Sequence, residues 1–106
     1  MKLLTRPEEW ILLAIWKLKD NAYCVPILDQ IEEFTGKKWT LGSIYIPLYR
    51  LESLGYLESY LGEPTAERGG KSKRFYSITA DGVNALKEIK NVHMTSWDGI
   101  NDMQFE

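Results

Sequence analysis

The sequence has one cysteine and one histidine among its 106 residues. Cys24 alone closes no internal disulfide, and with His93 it cannot complete a zinc site. The same scarcity leaves little for nucleophilic or acid–base catalysis. No glycine-rich loop leads from a strand into a helix to cradle a nucleotide. The chain therefore reads as a non-enzyme with no metal and no cofactor. Long apolar runs are missing too. The longest, Trp10 to Trp16, is seven residues where a bilayer span needs roughly 20. Arg6, Pro7, Glu8 and Glu9 interrupt the Leu-rich opening, and no small-residue cleavage site follows. The expectation is a reduced, cytoplasmic protein that makes no membrane contact.

Charge of one sign is nearly balanced by the other: 13 Lys and Arg stand against 15 Asp and Glu, for a net −2. The cations are not spread evenly. Lys37 and Lys38 are adjacent, and Arg68, Lys71, Lys73 and Arg74 crowd around Gly69 and Gly70 with Glu67 as the nearby acid. The rest of the chain is acidic, so the basic charge forms two local footprints for a polyanion rather than a coat. Four Trp and six Tyr are many for a domain whose small size makes its stability marginal, and some are expected to bury against a second subunit.

Periodicity and capping signals set the elements. Thr5 and Glu8 form a capping-box pattern with Pro7 in the first turn, predicting a helix over 7–18. Its apolar residues from Trp10 to Leu18 cover nearly the whole circumference, which predicts one face on the core and another on a partner. Tyr23, Val25, Leu28, Ile31 and Phe34 mark a second helix, with Pro26 early and Gly36 just past the end. Thr40 caps a third helix reaching Leu54 and Gly55. At 100° per residue, Leu41, Ile44, Leu48 and Leu51 share a buried arc, and Ser43, Ile46, Arg50 and Ser53 face away, flanked by Gly42 and Tyr49. Tyr45 lies at the boundary, and Pro47 threatens a kink. Strands are predicted over 56–61 and 74–78, joined by a turn-rich stretch. Thr79 caps a last helix whose stripe, Val83, Leu86, Ile89, His93, Trp97 and Ile100, asks for a partner groove.

Three helices, a hairpin with a basic tip and a final helix make a mostly α winged helix-turn-helix. Residues 1–79 form the DNA-binding domain, and 80–106 form a C-terminal dimerisation helix and tail. In such a module the third helix offers its wet arc to the major groove. Thr40, Gly42 and Ser43 stand at its N-terminal end, where backbone N–H groups favour phosphate. Arg50 suits phosphate or guanine, Ile46 suits a thymine methyl or is a scattered surface residue, and Tyr45 and Tyr49 border them. Arg68, Lys71, Lys73 and Arg74 form the wing's cationic tip. The alternative is a winged-helix protein-interaction module that does not bind DNA specifically.

The ordered set of segments resembles the PadR-like winged-helix transcriptional regulators of bacteria over about three quarters of the chain. The likeness is carried by Ile11 to Ile15, Ala22 to Val25, Ser43 to Tyr45, Leu48 to Glu52, Leu54 to Leu57, the Gly69 to Arg74 tip and Phe75 to Gly82. Ala22 stands where members commonly have glycine, and Ile46 intervenes before Pro47 where members often place proline directly after the tyrosine. The resemblance implies a homodimeric repressor on a pseudo-palindromic operator, its last helix packed on the partner's first. It implies DNA roles for Ser43, Tyr45, Arg68, Lys71, Lys73 and Arg74. It also implies that a small flat aromatic effector could bind near the dimer interface. Trp10, Leu13, Ala14, Leu86, Ile89, His93, Met94, Trp97 and Ile100 are the residues expected at that interface.

Overall fold

The computed structural model describes residues 2–63 and 72–100. Helix α1 spans Arg6–Leu18 and ends in a 3-10 turn, Lys19–Asn21. It is followed by α2 (Cys24–Thr35), α3 (Leu41–Ser53), β1 (Leu57–Leu61), β2 (Arg74–Ile78) and α4 (Ala80–Trp97). Among the described residues the chain is thus mostly helical with one antiparallel pair, a winged helix-turn-helix. Leu57 pairs with Ile78 and Leu61 with Arg74. The Tyr76 N–H donates to the Ala22 carbonyl at 2.8 Å, tying the segment before α2 to the hairpin.

The capping signals act as written. The Thr5 hydroxyl accepts the Glu8 N–H, and the Glu8 carboxylate accepts the Thr5 N–H. Gly36 ends α2 in the left-handed conformation, φ +74°, which a glycine adopts without a Cβ penalty. Thr40 caps α3 through the Ser43 N–H. Thr79 caps α4 through the Gly82 N–H, and its hydroxyl donates to the Gly55 carbonyl, clasping the α3–β1 turn to the start of α4. Gly82 is required there, because a Cβ would collide with the Tyr56 carbonyl oxygen.

The core joins Ile11, Leu12, Ala14 and Ile15 of α1, Ile27 and Ile31 of α2, and Ile44, Leu48 and Leu51 of α3. Leu57, Tyr76, Ala85 and Ile89 close it from the hairpin and α4. Only the first half of α4 packs here. Its far half carries exposed Val92, Met94 and Trp97, and the radius of gyration, 16.1 Å, exceeds the about 13 Å of a compact domain this long.

Two expectations need correction, and one open point is settled as to helix continuity. Leu41, predicted on the buried arc of α3, is 45% exposed; in the first turn it lies beyond the helices that cover Ile44, Leu48 and Leu51. Ile100 does not continue the stripe, since α4 stops at Trp97 and Gly99 takes φ +82°. Pro47, which threatened a kink, lies within α3, which is helical throughout Leu41–Ser53. Proline there removes only the N–H that the Ser43 carbonyl would have received.

Candidate nucleic-acid interface

The outward face of α3 is the most exposed apolar surface of the helix-turn-helix. Ile46 is 76% and Tyr49 74% exposed. Thr40, Gly42, Ser43, Tyr45 and Arg50 are also exposed. The first turn of α3 holds no acid, so its uncompensated N–H groups keep their positive character. Lys37 and Lys38 are exposed just ahead of it, and Lys38 shares a shallow depression with Thr40, Ser43 and Pro47.

On the other flank stands the stem of the wing. A cleft of about 430 Å³ runs between α3 and the hairpin, walled by Leu41 and Tyr45 on one side and Leu61, Lys73 and Arg74 on the other, with Tyr23 and Cys24 at the start of α2. The Lys73 ammonium sits 4.4 Å from the centre of the Tyr23 ring, a cation–π contact. Tyr23 also meets Phe75 edge-on at 5.5 Å, and Phe75 stacks on Tyr60 at 5.6 Å. Gly62 leaves room for that Phe75 ring; a Cβ would lie 2.6 Å from it. Arg74 donates to the Ser59 hydroxyl at 2.9 Å, and Ser59 donates to Glu52 at 2.7 Å, linking the wing stem to the end of α3. Arg68 and Lys71 lie outside the described residues. The two described cations of the wing are therefore anchored to its stem, not hung from a free finger.

Burial pushes the Cys24 thiol above its ordinary value, with hydrogen bonding by Tyr45 opposing it. Burial likewise raises Tyr76, helped by the nearby Cys24. Both groups are uncharged near neutrality, so the cations of the cleft are not offset from within by thiolate or phenolate.

The Arg50 Nε lies 3.7 Å from the Glu8 carboxylate, while its side chain stays half exposed. Glu8 read in sequence as a cap alone; its second oxygen ties α1 to α3, a link no local pattern announces. Tyr23 and Cys24 were also missed as cleft residues. The only sequence signal was an aromatic just ahead of a helix that precedes the cationic stretch.

At the opposite side, α1 and α4 form a second groove of about 400 Å³, lined by Leu13, Trp16, Val83 and Leu86 with Glu9, Lys87 and Lys90 at the rim. Trp16, half exposed, takes the place expected of Trp10. Trp10 turns the other way and meets Trp39 edge-on at 6.0 Å. Ala14 and Ile89 leave the partner-facing set, because they are 0% and 6% exposed within the chain's own core. His93 is only partly exposed, its Nε2 2.9 Å from Glu9. Met94, Trp97 and Ile100 are exposed. Among the described residues, no cluster of His, Cys, Asp or Glu could hold a metal. No described helix is long and apolar enough to cross a membrane.

Comparison with solved structures places this arrangement. The fold is similar to that of a PadR-like transcriptional regulator from Bacillus cereus strain ATCC 14579, with a TM-score of 0.73 and 26% identity over 93% of this chain and 92% of that one. A transcriptional regulator from Clostridium thermocellum is similar with a TM-score of 0.72 and 26% identity, over 89% of this chain and 88% of its own. A PadR family transcription regulator from Clostridium difficile R20291 gives 0.67 and 26%, over 87% and 90%. No curated protein is significantly similar in sequence. The model of the transcriptional regulator PadR-like family matches residues 12–88. With the winged fold, the exposed α3 and that match in hand, the chain belongs to the transcriptional regulator PadR-like family.

Proposed function

We propose that this regulator binds duplex DNA as a homodimer in the cytoplasm, most simply as a repressor. In this reading α3 lies in the major groove and the wing rests on the adjoining backbone. The carrying observation is the placement of cations on both flanks of the exposed α3 face, Lys37 and Lys38 before it and Lys73 and Arg74 beyond the cleft. A strip with cations on both sides matches a groove bordered by two phosphate strands. Residues 1–79 carry the reading and 80–106 the pairing. Support for pairing comes from the groove of Leu13, Trp16, Val83 and Leu86 and from the exposed Met94 and Trp97. A second copy of α4 would cover these apolar residues and place two α3 helices about 34 Å apart on a pseudo-palindrome. The same apolar face offers a flat aromatic effector its place.

Titration of DNA from upstream of the regulator's own reading frame, by fluorescence anisotropy at several salt concentrations, tests the proposal. Binding should weaken steeply with salt. No binding to any duplex at low salt would favour the protein-interaction module instead. Light scattering after size exclusion checks the dimer, and a monomer at micromolar concentration would refute it.

A further inference from the structure

The reading end has few hydrogen-bond donors to spare. The Ser43 hydroxyl donates to the Thr40 carbonyl at 2.8 Å, and the Thr40 hydroxyl accepts the Ser43 N–H at 3.2 Å. Ser53 donates to the Tyr49 carbonyl at 2.9 Å. The Arg50 Nε is held toward Glu8, and Tyr45 turns into the cleft beside Cys24. What projects furthest from the middle of α3 is the wholly apolar Ile46 and, one turn on, the Tyr49 ring with its terminal hydroxyl, both about three quarters exposed. Residues three apart on a helix share a face, so the two side chains form one ridge.

The aliphatic Ile46 end of this ridge, standing free in water between cationic flanks, fits one feature of a base edge. In the major groove the distinctive apolar group is the C5 methyl of thymine; the other edges present donors and acceptors. We infer that Ile46, backed by the Tyr49 ring, is the specificity-determining contact of this regulator, and that it reads thymine methyl groups. The half-site must then carry thymine where the middle of α3 crosses it. This rests on the duplex-DNA reading above and adds the chemistry by which bases are chosen.

The test needs no knowledge of the operator. A randomised duplex pool is selected on the full-length protein, and each thymine of the selected half-site is replaced in turn by uracil. Uracil keeps every hydrogen-bonding group and lacks only the methyl. At least one replacement per half-site should weaken binding about fourfold, the worth of one methyl-sized group removed from water. The same replacement should leave the Ile46→Ala variant nearly unaffected. At 76% exposure that substitution does not touch the core, and a circular dichroism melt verifies the fold. If the wild type binds its selected sequence in preference to random DNA yet ignores uracil at every position, the inference fails and the DNA reading stands. An equal loss in the wild type and Ile46→Ala also overturns it. Failure to bind any duplex at low salt removes both.

Discussion

Helices α1 and α3 begin alike and are used differently. Each starts at a threonine whose hydroxyl accepts the N–H three residues on. In α1 the third and fourth helical residues are acids. Glu8 closes the capping box and reaches Arg50, while Glu9 takes Arg6 and His93. That N-terminus is neutralised from within and knitted to α3 and α4. In α3 the third position is Ser43, which turns back to its own cap, and no acid follows in the first turn. The first helix end thus serves the fold, and the second keeps a positive pole that no first-turn acid offsets. A single choice of residue at the third helical position separates a structural joint from the end we propose to bind DNA.

Exchanging that choice should have the largest effect. Ser43→Glu gives α3 the acid that α1 has. It should cap the helix at least as well as serine, leaving the melting temperature level or slightly raised. DNA affinity should nevertheless fall by about tenfold or more, since the new carboxylate meets phosphate instead of counterions. Anisotropy beside a thermal melt reads the two opposite signs. A parallel drop in both would mean that the first turn of α3 serves only the fold.

The converse exchange tests α1. Glu8→Ala removes half of the capping box and leaves Arg50 without its partner, for a loss of about 1–2 kcal/mol by denaturant titration. Glu8→Gln keeps an acceptor for the Thr5 N–H and should recover part of that loss. Gly82→Ala should cost a comparable amount, about 1–3 kcal/mol, because its methyl meets backbone and not a movable side chain.

These contrasts also explain what was legible in the sequence. Elements defined by contacts three or four residues apart were readable: Thr5 with Glu8, Thr40 with Ser43, and Gly36 after α2. Links across the chain were not. Nothing near Glu9 announces His93, 84 positions away, nor does anything near Trp10 say that it will turn to Trp39 and leave the α4 groove to Trp16. Periodicity also fails at helix ends, as with Leu41, because the arc is shared but the neighbouring helices do not extend that far. Lys73 and Arg74 read in sequence only as members of a basic stretch. Their anchoring by Tyr23 and Ser59 depends on the fold bringing the start of α2 against the hairpin.

That anchoring predicts a smaller effect on the reading side. Lys73→Ala should reduce the salt dependence of binding by about one unit of log–log slope, the loss of one phosphate contact. Tyr23→Leu removes the ring beneath the ammonium and should mimic most of that change, whereas Tyr23→Phe keeps the ring and should bind like the wild type. If Tyr23 acts through Lys73, the double variant will be little worse than Lys73→Ala alone. Additive losses would assign Tyr23 a separate contact.

The smallest effect concerns the cleft between the two flanks. Burial raises the Cys24 thiol, so its proton is held more tightly in the folded chain than in the unfolded one. Its contribution to stability is therefore complete below the unfolded thiol's pKa and fades as pH rises toward the folded value. At neutral pH the thiolate, the reactive form, is scarce. Iodoacetamide should accordingly label the native protein more slowly than the urea-unfolded chain, with a rate that climbs with pH through the alkaline range. Saturating DNA should slow labelling further if a phosphate strand crosses the cleft between Tyr45 and Lys73. Labelling unchanged by DNA would place the strand elsewhere and confine contact to the α3 ridge, sharpening the division between a helix end built to bind and one built to hold.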